Sequence, residues 1–157
     1  MSFKKFKQTE AGDLPLGRLV GMISRSHYNY LNSKFRNLNI NPNQLSFLIE
    51  IKCRKNINQH DLSTNCSIDK GAVARALRKL EEQGLVKREV DENNRRQNML
   101  SLTEKGHETL EQALIILDNW ESEVYKDITA EEKEITHDVL KKISLKSFEM
   151  NQNLKNE

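Results

Sequence analysis

Lys70, Arg75, Arg78 and Lys79 lie on one short stretch whose other outward positions, Gly71 and Ala74, carry almost no side chain. An arginine fork matches the O6 and N7 acceptors of guanine, and a lysine ammonium suits a phosphate. Small neighbours let a helix approach a groove floor closely. Arg75 and Lys70 are therefore the candidates for base edges or neighbouring phosphates, with Ser67, Gly71 and Ala74 at the helix entry and close-approach positions. Arg78 and Lys79 are candidates for holding the phosphate backbone. Arg95 and Arg96 stand on the polar run DENNRRQ and are the candidate anchors of a second contact. Two blander roles remain open for Arg75: gripping phosphate without reading a base, or pairing with Asp69 inside the chain.

Other chemistries find no support in the residue types. There is no Gly-rich phosphate loop, His-Glu-x-x-His or nucleophile elbow. Cys66 and His60 lie six apart, but no third group accompanies them to orient a thiol catalyst. Cys53 and Cys66 are 13 apart with no second pair to complete a zinc site, and they read as ordinary buried thiols in a reducing cytoplasm. No enzyme activity, metal or cofactor is expected.

The elements that must position the basic residues follow from patterning. Asn58 caps a first short helix, with Asp61 three residues on and Leu62 and Cys66 facing inward. Ser67 is the expected cap of the next helix, whose Val73, Ala76, Leu77 and Leu80 form one apolar stripe. Gly84 suits the left-handed end of that helix, and Leu85 closes it hydrophobically. Leu85 to Val90 and Gln97 to Thr103 read as strands on either side of the DENNRRQ turn. Two helices, a small-residue turn and a hairpin in that order predict a winged helix-turn-helix.

The stretch DKGAVARALRKLEEQGLVKREVDENNRRQNMLSLTEKG resembles the core of the MarR family of transcriptional regulators. The resemblance rests on Asp69-Lys70-Gly71, on Arg75, and on the Leu80…Gly84-Leu85-Val86 exit. Asp91, Arg96 and the Leu102-Thr103-Glu104-Lys105-Gly106 return also match. One departure stands in the wing, where the family pattern is roughly Asp-x-Arg-Asp-x-Arg. This chain has Asn93 and Asn94 at the middle Arg and Asp positions. The resemblance implies a dimeric repressor of transcription, released from DNA by a small aromatic or phenolic effector.

The flanking sequence fits such an assembly. Residues 1–12 read as a loose arm, and a long helix from about Asp13 carries Leu16, Val20, Ile23, His27, Leu31, Phe35 and Leu38 on one stripe. Asn41-Pro42-Asn43-Gln44 is a capping box opening a helix that buries Leu45, Leu48 and Ile49, followed by the basic stretch KCRKNIN. A helix of roughly 24 residues, about 36 Å long, starts near Thr103 with Leu110, Ala113, Leu114, Leu117, Trp120 and Val124 along it. Thr129-Ala130-Glu131-Glu132 opens the last helix, whose inward positions are Ile135, Val139, Leu140, Ile143 and Phe148. One winged helix cannot cover so many apolar faces, so a homodimer built from the terminal helices is expected. The fold class is mainly α, a winged helix-turn-helix with long flanking helices. Residues 1–40 form the arm and first dimerisation helix, 41–103 the DNA-binding region, and 104–157 the C-terminal dimerisation helices.

Charge points the same way. Residues 1–51 hold 7 basic and 3 acidic groups, residues 52–98 hold 11 and 7, and residues 99–157 hold 7 and 13, for a formal net charge of +2. A basic middle and an acidic tail place a polyanion on the helix-turn-helix. No run of 18 apolar residues or secretory leader is present, so a cytoplasmic location without membrane contact is expected. The expected partner is double-stranded DNA with a pseudo-palindromic operator. The competing reading is a winged-helix protein-interaction module without sequence-specific DNA binding, since a fold does not fix a function.

Overall fold

The computed structural model describes residues 3–54, 57–66, 68–90 and 98–154, apart from the side chains of residues 3 and 90. Its elements are α1 (Phe3–Gln8), α2 (Leu16–Lys34), α3 (Pro42–Cys53), β1 (Ile57–Asn58), α4 (Gln59–Cys66), α5 (Lys70–Glu82), β2 (Val86–Val90), β3 (Asn98–Leu102), α6 (Glu104–Val124) and α7 (Ala130–Leu154). The chain divides into two compact units, residues 1–118 and 119–157. Among the described residues, no helix is long and apolar enough to cross a membrane.

In the first unit, the expected loose arm is a short helix, α1, followed by a 3-10 turn at Ala11–Asp13. Pro15 caps α2 instead of sitting inside its first turn, since its backbone is extended (φ −58°, ψ 134°). Only the far end of α2 meets the core: Leu31 and Phe35 are buried, whereas Leu16, Val20 and Ile23 are 44–55% exposed. A 3-10 turn, Phe35–Leu38, ends at Asn39 in the left-handed region (φ 54°), which reverses the chain. Asn41 and Gln44 then form the expected reciprocal box, each side chain bonding the other's backbone N–H at 3.0 Å. Proline at the next position costs nothing there, because that N–H has no partner within the helix.

From α3, Leu45, Phe47, Leu48 and Ile51 enter one core with Ile57, Leu62, Val73, Leu77, Leu80, Leu85, Val86, Leu100, Leu102 and Leu110. The sheet has the order β1-β3-β2 and is antiparallel throughout, with Ile57 opposite Leu100 and Val86 opposite Leu102. Strand β1 has two residues, too few for alternation to reveal, and it joins the hairpin to the helices. Three helices with this sheet make a winged helix-turn-helix.

In the second unit, Thr129 caps α7 as expected. Its hydroxyl accepts from Glu132 N–H at 3.2 Å, and the Glu132 carboxylate accepts from Thr129 N–H at 2.9 Å. The Thr129 N–H and, at 2.8 Å, the Thr129 hydroxyl both donate to the Glu132 carboxylate and hold that carboxyl below its usual range. Lys133 pairs with Glu121 at 2.8 Å and lies 4.6 Å from the Tyr125 ring centre. None of the apolar residues expected to point inward from α7 is buried: Ile135 and Phe148 are more than half exposed, Val139 and Leu140 exposed, and Ile143 half-buried. The stripe exists, but among the described residues none of these side chains is fully buried.

Candidate nucleic-acid interface

Two bonds fix the start of α4. Asn58 Oδ1 accepts from His60 N–H at 2.8 Å and Asp61 N–H at 3.0 Å, and Asp61 returns a bond to Asn58 N–H at 3.3 Å. Across the turn that follows, Ser63 Oγ donates to Ile68 carbonyl at 2.7 Å and Ile68 N–H donates to Ser63 carbonyl at 3.1 Å. The buried serine thereby ties the end of α4 to the entrance of α5. Ser67 itself lies outside the described residues. The cap of α5 is Asp69, whose Oδ1 accepts from Gly71 N–H at 2.9 Å and Ala72 N–H at 3.1 Å. A carboxylate here also meets the positive end of the helix dipole, which a serine hydroxyl does less well.

With that start fixed, periodicity sets the rest. Val73, Leu77 and Leu80 have no exposed surface, and Ala76 is half-buried beside them. Two residues past Val73 is a rotation of about 200°, so Arg75 leaves α5 on the far side. Lys70, Arg75, Arg78 and Lys79 are all exposed, while Gly71 and Ala74 between them are half-buried. A Cβ on Gly71 would stand 3.4 Å from Arg75 Nη1, so the guanidinium lies over the glycine. Among the described residues, none of these four cations forms an ion pair, the Arg75–Asp69 pair included. Arg75 and Lys79 share one feature that Lys70 and Arg78 lack: with Asn41, Gln44 and Phe47 they line a groove of about 310 Å³ between α3 and α5.

The helix exit matches the expectation at Gly84, which has φ 70°. Leu85 N–H donates to Leu80 carbonyl and Gly84 N–H to Glu81 carbonyl, each at 2.9 Å, which is a complete Schellman end. The expected hairpin follows as β2 and β3, with Val86 opposite Leu102 and Val90 opposite Asn98. Its tip, with Asn93, Asn94, Arg95 and Arg96, lies outside the described residues.

Some basic residues proved to be occupied, and one was overlooked. In the basic stretch KCRKNIN, Arg54 pairs with Glu50 at 2.8 Å and Lys52 bonds His107 Nδ1 at 3.2 Å. Arg88 drew no attention in the sequence, yet its guanidinium bonds Glu81 at 2.5 Å and Gln59 at 3.2 Å. It braces β2 against the ends of α4 and α5, and no local spacing announces a contact between residues 29 positions apart. Cys66, expected to be buried, is half-buried, and burial together with Glu50 pushes its thiol pKa up against a smaller opposing effect of Arg54. Cys53 departs from expectation and is exposed.

Comparison with known proteins bears directly on this arrangement. A MarR family model matches residues 40–97. The multiple antibiotic resistance protein MarR of Escherichia coli (strain K12) is 31% identical over 131 residues, spanning 83% of this chain and 91% of that protein. The chain belongs to the MarR family. A second relative, the HTH-type transcriptional regulator BilQ of Clostridium symbiosum (strain WAL-14163), is 29% identical over 114 residues, 73% of this chain and 79% of that protein. Among solved structures, a mutant E. coli MarR complexed with operator DNA superposes with a TM-score of 0.74. It is 30% identical and covers 86% of this chain and 99% of that one.

Proposed function

We propose that this MarR-family protein is a homodimeric, sequence-specific DNA-binding regulator of transcription that uses α5 as its recognition helix. The observation that carries the reading is the outward face of α5: four exposed cations, none in an ion pair among the described residues, grouped around two small residues. A protein-docking scaffold has no need of that face. Residues 41–103 supply the DNA contacts in this reading, and the helices of 1–40 and 104–157 supply the dimer. A major-groove helix that offers arginine to guanine and lysine to phosphate satisfies both specificity and affinity. The E. coli relative has been captured on operator DNA, which supports the same use here. Such a regulator works in the cytoplasm.

The regulator acts as a repressor, and a small aromatic acid or phenol releases it. A cleft of about 330 Å³ between α2, α3 and α6 supports this part of the reading. Tyr28, Leu31, Leu45, Ile49 and Leu117 give it apolar walls for a ring, and Ser24 and Ser46 give it hydroxyls for one polar group. Burial depresses the pKa of His27 on the same wall, which keeps its imidazole neutral near pH 7.

Footprinting on DNA upstream of the protein's own gene tests the function. Two protected half-sites with centres about one helical turn apart are expected. Salicylate should abolish the protection. No protection at physiological salt would contradict DNA recognition, a single protected half-site would contradict the dimer, and indifference to phenolic acids would contradict the effector class.

A further inference from the structure

Three backbone carbonyls follow the end of α5, those of Gln83, Gly84 and Leu85, and the start of α6 engages all three. Lys105 Nζ donates to Gln83 carbonyl at 2.8 Å, and Thr103 Oγ donates to Gly84 carbonyl at 2.6 Å. Thr103 N–H donates to Leu85 carbonyl at 3.1 Å. The same threonine hydroxyl accepts from Gly106 N–H at 3.0 Å, so one side chain caps α6 while gripping the turn that ends α5. Gly106 allows the approach: a Cβ there would stand 2.0 Å from Leu85 carbonyl oxygen and 3.0 Å from its carbon. Both Leu85 and Gly106 are buried. Backbone packed on backbone, with three carbonyls engaged, leaves little room for rotation.

We infer that the Thr103–Gly106 turn is a joint that locks α6 to the exit of α5, making Thr103, Lys105 and Gly106 positioning residues for the recognition helix. Two turns further along α6, Leu114 and Ile115 are 39% and 59% exposed and belong to the surface proposed to form the dimer. A path from dimer surface to recognition helix thus runs through this joint. At the other end α5 is tied to α4 by the paired Ser63–Ile68 bonds. The direction of α5 is accordingly set from both ends, and its separation from the partner's copy is set through α6. The inference rests on the DNA-binding dimer proposed above.

Thr103→Val combined with Lys105→Met removes the side-chain grips and keeps the glycine contact. In this double variant, affinity for an intact two-half-site operator should fall about tenfold, a typical coupling between linked sites. Affinity for a duplex holding one half-site should change little, and Thr103→Ser should behave as wild type. Parallel losses on both duplexes would overturn the joint and leave the turn a contributor to stability alone. If wild type binds neither duplex, the proposed function fails, and the joint is decided without DNA. Spin labels at Glu82→Cys and Glu111→Cys, in a Cys53→Ser, Cys66→Ser chain diluted with unlabelled protein, report the angle between α5 and α6. The double variant should broaden or shift that distance distribution, and Gly106→Ala should shift it. A distribution unmoved in both would overturn the inference.

Discussion

At Cys53 the last turn of α3 carries the side chain away from the core: Ile51, two residues earlier, is 4% exposed, and two residues turn a helix by about 200°. Cys66 sits at the end of α4 against the core, where burial raises its pKa and holds it in the unreactive thiol form. At pH 7 a maleimide should therefore label Cys53 several times faster than Cys66, read by mass spectrometry of the digested protein. Equal rates would contradict the burial argument. Residue-level reading of the sequence took both thiols as buried because cysteine is apolar by type. The α3 stripe Leu45, Leu48 and Ile49 identified the core side but did not say that Cys53 falls opposite Ile51.

Helix ends govern the element scale. Asp69 occupies two N–H groups at the start of α5 and thereby holds the turn that carries Lys70 and Gly71. Asp69→Ala should cost about 1 kcal/mol of stability, and Asp69→Asn much less. Urea denaturation of the three proteins measures this. An alanine variant as stable as wild type would show that the cap is not needed. The capping boxes at Asn41–Gln44 and Thr129–Glu132 and the Gly84 exit were legible in sequence, because each is a local pattern of side chain and backbone. Ser67 was the expected cap of α5, and the bonds that Gly71 N–H and Ala72 N–H make to the Asp69 carboxylate put the cap at Asp69 instead. Strand β1 and the Arg88 brace were invisible for a related reason. Both exist only through partners far along the chain, Leu100 for Ile57 and Gln59 for Arg88.

At the scale of the whole molecule, the apolar stripes of α2, α6 and α7 were readable in sequence, and a second copy was expected to cover them. Val20, Ile23, Ile115, Ile135 and Phe148 are all exposed in a single chain. Covering them is the role of a second copy in the proposed assembly, at roughly 25 cal/mol for each Å² of apolar surface removed from water. Such a dimer presents two copies of α5 to successive turns of one duplex face. Its specificity then depends on what α5 holds out to the base edges, and Arg75 is the side chain best suited by type and exposure.

Binding titrations of wild type and Arg75→Ala against operator and scrambled duplex, each at two salt concentrations, test that claim most directly. A bidentate arginine–guanine contact discriminates by about 1–3 kcal/mol per base, and the proposed dimer would make two. The variant should therefore lose far more affinity for operator than for scrambled DNA, with preference relaxed at two symmetry-related positions. Equal losses on both duplexes would make Arg75 a phosphate-gripping residue and move base reading to Lys70 or Ser67.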